Sequence, residues 1–103
     1  MDKHRRGMPT VLPNGLRVIR LFPEWVSGWP LWESFTDNYR RTGPDLGLTP
    51  ELSRALYDWN ETWLTRHEDD PIPDGWRERG ERLFNQLQAE LEGVAEVRPE
   101  FLS

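Results

Sequence analysis

Residues 49–67 carry the pattern that most restricts how this chain can fold. Thr49-Pro50-Glu51 combines a capping hydroxyl, a proline suited to the first helical position and an acidic residue in the first turn. Apolar side chains then recur at helical spacing, namely Leu52, Leu56, Trp59 and Trp63. This spacing places them on one face, so we predict an amphipathic helix over about residues 50–67 with a buried apolar face.

A second helix is predicted after the segment Asp69-Asp70-Pro71-Ile72-Pro73, because two prolines so close together cannot continue the first helix. Asp74 can cap this helix, and its apolar stripe consists of Trp76, Gly80, Leu83, Phe84, Leu87 and Leu91 and could extend to Val94. Glycine destabilises a helix relative to alanine, so Gly80 on the stripe predicts a close approach by another element. The short connection predicts an antiparallel pair of helices.

The N-terminal part of the chain has the features of β-structure. Pro13-Asn14-Gly15 favours a turn, and an apolar run with β-branched residues follows over 16–22. We predict a hairpin with a short first strand at Val11-Leu12 and a longer second strand at about 16–22. Pro30 indicates that the next segment, Trp29 to Trp32, is an edge strand or extended, and residues 36–48 are predicted to form a loop.

These elements predict an α+β fold, in which an N-terminal β-hairpin or small antiparallel sheet packs on an antiparallel pair of α-helices. We expect residues 1–8 to form a disordered arm, because they are charged and are followed by Pro9. A chain of 103 residues suits one domain, so residues 9–103 are expected to form it.

Composition limits the compartment in which the chain is expected to function and the kinds of partner that it is expected to bind. The chain has no cysteine, which excludes disulfides and thiolate chemistry and predicts a cytoplasmic protein. It has no apolar run of membrane-spanning length, so we expect no membrane association. The net charge is -5 and the chain is acidic after its basic first twenty residues. We therefore expect no nucleic-acid partner, whereas a basic protein partner is compatible with this charge.

No pattern of catalytic or metal-binding residues stands out. The densest polar cluster, His67-Glu68-Asp69-Asp70, could receive another histidine only from His4, so we interpret it as a solvated helix end. No serine lies in a G-x-S-x-G stretch, and no glycine-rich phosphate loop is present. We expect no catalytic residue, no metal site and no cofactor.

Residues 24–35 read EWVSGWPLWESF and hold half of the six tryptophans of the chain. Such residues either build a core or contact a partner, since tryptophan, tyrosine and arginine are enriched among interface hot spots. Base stacking on single-stranded nucleic acid is disfavoured by the neighbouring Glu24, Glu33 and Asp37. The candidate partner-binding residues are Trp25, Trp29, Trp32, Phe35, Tyr39, Arg40 and Arg41.

Three stretches carry a resemblance to a known group of proteins: Trp29-Pro30-Leu31-Trp32, then residues 45–52 reading DLGLTPEL, then Trp59. They resemble small actinobacterial proteins of unknown biochemistry, which share a strand, "P-L-W", an acidic or glycine-rich stretch, "L-[ST]-P-E-L" and a helix with a central tryptophan. The similarity covers residues 16–64. Members often have an aspartate-tyrosine pair after the strand, where this chain has Glu24-Trp25. Some members resemble immunity-like proteins encoded near toxins.

The leading hypothesis is a small, cytoplasmic, non-enzymatic binding protein, and the resemblance implies an immunity-type inhibitor of a toxin or enzyme. It would contact its partner through the segment Trp25–Phe35 and the loop 40–48. One alternative is a small ligand-binding domain or enzyme with a pocket in the region Trp25–Arg41. Another is a subunit that self-associates, for example as a homodimer, through the same patch.

Overall fold

The computed structural model describes residues 11–23, 28–36, 39–66 and 70–102. The elements in chain order are β1 (Arg17–Leu21), β2 (Leu31–Glu33), β3 (Arg40–Arg41), α1 (Pro50–Leu64), α2 (Trp76–Glu90) and β4 (Ala95–Pro99). Short 3-10 helices occupy Pro44–Leu46 and Glu100–Leu102. The predicted α+β fold, with a sheet packed on two helices, is confirmed. The arm predicted at residues 1–8 lies outside the described residues.

Helix α1 begins where its capping residues predict. The hydroxyl of Thr49 accepts a hydrogen bond from the Leu52 N–H at 3.3 Å, which satisfies a backbone donor of the first turn. The helix ends at Leu64, three residues earlier than predicted. Helix α2 lacks the side-chain cap predicted at Asp74, because Gly75 at φ 81° takes the capping position instead.

The two helices run antiparallel, as contacts at both ends show. At the start of α1, the N–H and hydroxyl of Thr49 donate to the carboxylate of Glu90, at the end of α2, at 2.8 and 2.7 Å. At the other end, the rings of Trp63 and Trp76 lie 5.0 Å apart. The linker of residues 65–75 allows α2 to return alongside α1.

A cluster of aromatic rings joins the helices. The indoles of Trp59 and Trp76 stack at 4.3 Å, and each indole N–H donates to the other residue's carbonyl, at 3.0 and 3.2 Å. Phe101 packs edge-on against Trp59 at 5.1 Å. An ideal Cβ built on Gly80 would lie 2.7 Å from both Trp59 and Phe101. The close approach predicted at Gly80 is thus confirmed.

The sheet has the order β3-β2-β1-β4, in which β1 is antiparallel to β2 and parallel to β4. The predicted turn at 13–15 forms, with a 2.8 Å hydrogen bond from the Gly15 N–H to the Leu12 carbonyl. However, Val11 and Leu12 form no strand, and β1 pairs with β2 instead. Strand β2 is an inner strand rather than an edge strand, because Pro30 lies just before it and removes no N–H from its ladder.

The sequence pattern missed two strands, namely the two-residue β3 inside the expected loop 36–48 and the longer β4. Strand β4 runs alongside β1 in parallel register, and Phe101 after it is buried. The side-chain amide of Gln88 closes its outer edge, since it donates to the Ala95 carbonyl at 3.0 Å and accepts from the Val97 N–H at 2.9 Å. Gln88 thereby blocks pairing of a further strand at this position.

Candidate partner-binding face

The sheet has one face against the helices and one outer face. The core includes inward side chains from three strands, namely Ile19, Leu21, Leu31 and Val97. Side chains alternate along a strand, so the residues between them lie on the outer face. The register aligns one outer row across all four strands, in the order Arg98, Arg20, Trp32 and Arg40. Three arginines and a tryptophan therefore share one line on the outer face.

Trp32 is the centre of a three-ring aromatic stack. Its ring lies 4.8 Å from that of Phe22, with 5° between the planes, and 5.6 Å from that of Tyr39, with 12° between the planes. The indole N–H of Trp32 donates to the Phe22 carbonyl at 3.3 Å. We call Phe22, Trp32 and Tyr39 the aromatic stack. Its contacts fix the orientation of the rings before any partner arrives.

Two arginines contact the rings of the aromatic stack. The guanidinium carbon of Arg20 lies 5.2 Å from the centre of the Phe22 ring, and that of Arg40 lies 5.8 Å from the Trp32 ring. Both distances suit cation–π attraction. The outer face thus combines flat apolar area with positive charge.

The sequence-predicted residues fall into separate places. Trp32, Tyr39 and Arg40 lie together on the outer face. Phe35 follows β2 in the same hairpin, is 51% exposed, and has a φ of 67°, which a bulky side chain rarely adopts. Tyr39 is also 51% exposed. Trp25 lies outside the described residues.

Trp29 packs against α1 instead of joining the aromatic stack. Its ring meets Tyr57 edge-on at 5.4 Å, and the Gly28 carbonyl accepts a hydrogen bond from the Asn60 side chain at 3.1 Å. An open groove of about 590 Å³ lies beside it, lined by Trp29, Pro50, Ser53, Arg54, Tyr57 and Asp58. This groove is separate from the outer face.

Arg41 belongs to a buried ion-pair network around Glu33. The carboxylate of Glu33 is 5% exposed, accepts two hydrogen bonds from Arg17 at 2.9 and 2.7 Å, and accepts a third from Arg41 at 2.8 Å. These donors, Arg17 foremost, hold the pKa of Glu33 below its ordinary value although burial opposes them. Glu33 is therefore not an exposed negative charge, and the guanidinium of Arg41 is directed toward it.

The sequence interpretation missed Phe22, Arg20 and Arg98 as surface residues. The signal lay in alternation, because in Arg20-Leu21-Phe22 and Glu96-Val97-Arg98 a buried apolar residue lies between two less buried residues, of which Phe22 also packs partly against the core. An open groove of about 540 Å³ on this face is lined by Arg20, Phe22, Arg98, Pro99 and Glu100.

This set of side chains suits the binding of another molecule. Arginine binds carboxylates, and aromatic rings cover apolar surface. Within the described ranges, no three histidine, aspartate or glutamate residues converge as metal ligands would. The described helices include none with the length and apolar character of a membrane span. No family model, no curated protein and no solved structure matches this chain.

Proposed function

We propose that this chain is a small cytoplasmic protein-binding module, of the immunity type that its sequence resemblance implies, whose partner docks on the outer face of the sheet. The observation that carries the proposal is the aromatic stack with Arg20 and Arg40 against its rings. Tryptophan, tyrosine and arginine are the residues most enriched in binding hot spots. A preformed stack also loses little side-chain entropy on binding.

Exposure supports the same location. The described residues include three exposed large hydrophobic side chains, and two of them, Phe35 and Tyr39, belong to the β2–β3 hairpin. The third, Val94, lies between α2 and β4 and is 45% exposed. The hairpin therefore presents a concentration of apolar surface, which a partner would cover.

The charges of this face favour a partner with an acidic contact surface. The basic partner expected from the sequence rested on the net charge of -5, whereas the local charges of this face differ, because Glu33 is buried between Arg17 and Arg41. The outer row carries Arg20, Arg40 and Arg98. Complementary charge would speed the encounter with an acidic partner surface.

Capture and reconstitution test the proposal. Tagged wild-type chain is incubated with lysate of the cells that encode it, and the captured protein is purified and titrated against wild type, Tyr39→Ala and Val94→Ala. We expect Tyr39→Ala to weaken binding by about 1–2 kcal/mol, as loss of a hot-spot side chain does. Val94→Ala is the matched control, since its exposure is similar and it lies away from the face. Equal affinity of all three proteins, or no captured protein, would contradict the proposal.

A ligand-binding domain is the second candidate, supported by the groove beside Trp29. Its volume of about 590 Å³ is in the usual range for small-molecule sites, and Trp29 and Tyr57 supply aromatic walls. Screening of aromatic fragments by NMR tests it: shifts at Tyr57 that Tyr57→Ala abolishes would favour this function. Sedimentation of the pure chain over a range of concentrations tests self-association, the remaining alternative.

A further inference from the structure

We infer that Arg20 and Arg98 form a carboxylate-binding subsite of the outer face, which Glu100 and Glu96 fill until acidic side chains of a protein partner replace them. This inference deepens the proposed function and rests on it. It specifies where the partner's negative charge binds and what it displaces.

The two arginines are placed side by side by the strand register. Arg20 on β1 and Arg98 on β4 are direct partners in the parallel pair, so both side chains leave the same face. Like charges on neighbouring strands repel each other, and each arginine is offset by its own carboxylate. Arg20 pairs with Glu100 at 2.9 Å, and Arg98 pairs with Glu96 at 2.8 Å.

These ion pairs can be exchanged readily. Their four side chains are about 40% exposed, between 38% and 43%, and pairs so accessible to water contribute little to stability. The Arg17–Glu33 pair is different, because its carboxylate is 5% exposed and doubly bound by Arg17. An incoming carboxylate can therefore compete for Arg20 and Arg98 without disturbing the fold.

The surroundings suit a carboxylate on a partly apolar protein surface. The groove of about 540 Å³ contains both guanidinium groups, and Phe22 and Pro99 provide apolar walls. A docked partner would exclude water from this groove and strengthen each arginine–carboxylate pair. Arginine also matches the geometry of a carboxylate through two parallel hydrogen bonds.

A protein partner fits this face better than a nucleic acid does. The Trp32 ring already stacks with Phe22 and with Tyr39, which leaves little of its surface for a base. The net charge of -5 also repels a polyanion. A local acidic segment within a mixed protein surface avoids this repulsion.

Defined peptides test the subsite without a known partner. A short peptide alternating glutamate with leucine is titrated into ¹⁵N-labelled protein, beside a lysine-leucine counterpart and a thymidine oligonucleotide of similar length. We expect the glutamate peptide to bind most tightly and to shift the signals of Arg20 and Arg98. Arg98→Gln should weaken its binding about fivefold, whereas Arg82→Gln, at an exposed position on α2, should leave it unchanged.

Removal of the competing carboxylate supplies the sharper test. Glu96→Gln releases Arg98 from its internal partner, so this variant should bind the glutamate peptide more tightly. The expected gain is about two- to threefold, which corresponds to the strength of one exposed ion pair. Melting curves of Arg98→Gln and Glu96→Gln show whether both variants remain folded. If Arg98→Gln is unfolded, the inference is judged from two other variants. Arg20→Gln should bind the glutamate peptide more weakly than wild type, and Glu96→Gln should bind it more tightly.

The outcomes separate this inference from the proposed function. The inference is overturned if the glutamate peptide does not bind, binds no better than the lysine peptide or the oligonucleotide, or binds Glu96→Gln no more tightly than wild type. If Tyr39→Ala still weakens the captured partner in that case, the proposed function stands and only the subsite fails. If neither Tyr39→Ala nor Arg98→Gln affects the captured partner, both fail.

Discussion

The Glu33 network predicts a stability defect that depends on pH in a defined way. The variant is Glu33→Gln, which keeps the side-chain volume and removes the negative charge. The carboxylate accepts on Oε1 from Arg17 and Arg41, and on Oε2 from the Arg17 Nε–H. A glutamine can keep the oxygen that serves both arginines, but its amide N–H₂ then faces the Nε–H donor of Arg17.

The magnitude follows from these contacts. One charge-assisted hydrogen bond, worth about 1.5–3 kcal/mol, is replaced by two opposed donors. Breaking a buried ion pair costs about 3–5 kcal/mol, but Arg17 and Arg41 are 32% and 18% exposed and recover part of their hydration. We therefore expect the free energy of unfolding to fall by about 2–3 kcal/mol at neutral pH.

The pH dependence has a definite sign. Arg17 and Arg41 hold the pKa of Glu33 below its ordinary value, so the folded state binds this proton less readily than the unfolded state. The stabilisation is complete above the ordinary carboxyl pKa, about 4.3, and is lost as the pH falls through the lower pKa of the folded state. The difference between wild type and Glu33→Gln should therefore shrink below about pH 4.

Urea unfolding at pH 7 and pH 3 measures both effects. The control is Glu96→Gln, because Glu96 also pairs with an arginine at 2.8 Å but is 41% exposed, and its loss should cost less than about 1 kcal/mol. Glu33→Gln with wild-type stability at pH 7 would refute the reasoning. A defect of equal size at both pH values would show that packing, rather than charge, accounts for the loss.

Two further predictions concern packing and the sheet edge. Gly80→Ala should destabilise the fold by about 1–2 kcal/mol, because a methyl group 2.7 Å from Trp59 and Phe101 outweighs the better helix propensity of alanine, and a raised melting temperature would contradict this. Gln88→Leu should cost about 1–2 kcal/mol and cause association at high concentration, because it opens the outer edge of β4. Gln86→Leu, at an exposed position on the same helix, is the control for both melting and sedimentation.

The helices could be predicted from the sequence because their signals are local. The cap at Thr49 and its apolar stripe belong to α1, and Gly80 lies on the apolar stripe of α2, so each signal falls within a few turns of a single helix. The cap of α2 was mispredicted because Asp74 and Gly75 are both suitable residues for an N-cap position. Only the backbone conformation at Gly75 decides between them.

The sheet depended on long-range pairing, which local patterns do not encode. The turn at 13–15 forms, yet it does not join two strands, since β1 finds its neighbours in β2 and in β4, nearly eighty residues away in sequence. The short, charged β4 with Pro99 has no strong strand signal of its own. The parallel pairing depends on α2, which returns the chain beside β1.

The candidate site was only partly predictable, because its contacts also depend on long-range strand pairing. The aromatic side chains of the β2–β3 hairpin were identifiable as candidates from their composition and their irregular surroundings. Their partners on β1 and β4 required the register, which alone aligns Arg20 with Arg98 and Trp32. Likewise, nothing local indicated that Glu33 would meet Arg17, and its role as a buried acceptor became visible only in three dimensions.

Most of the aromatic residues fall into two clusters that have different roles. Trp59 and Trp76 lie between the helices, satisfy each other's indole N–H groups and are almost completely buried, so their contribution is to stability. Trp32 and Tyr39 lie beyond the sheet, where the core against the helices is complete without them. Leaving rings partly in water forgoes the stabilisation that burial would bring, and a partner surface restores it. Phe22 packs against the core, but Tyr39 is 51% exposed, so loss of Tyr39 should weaken binding while the helix pair keeps the chain folded.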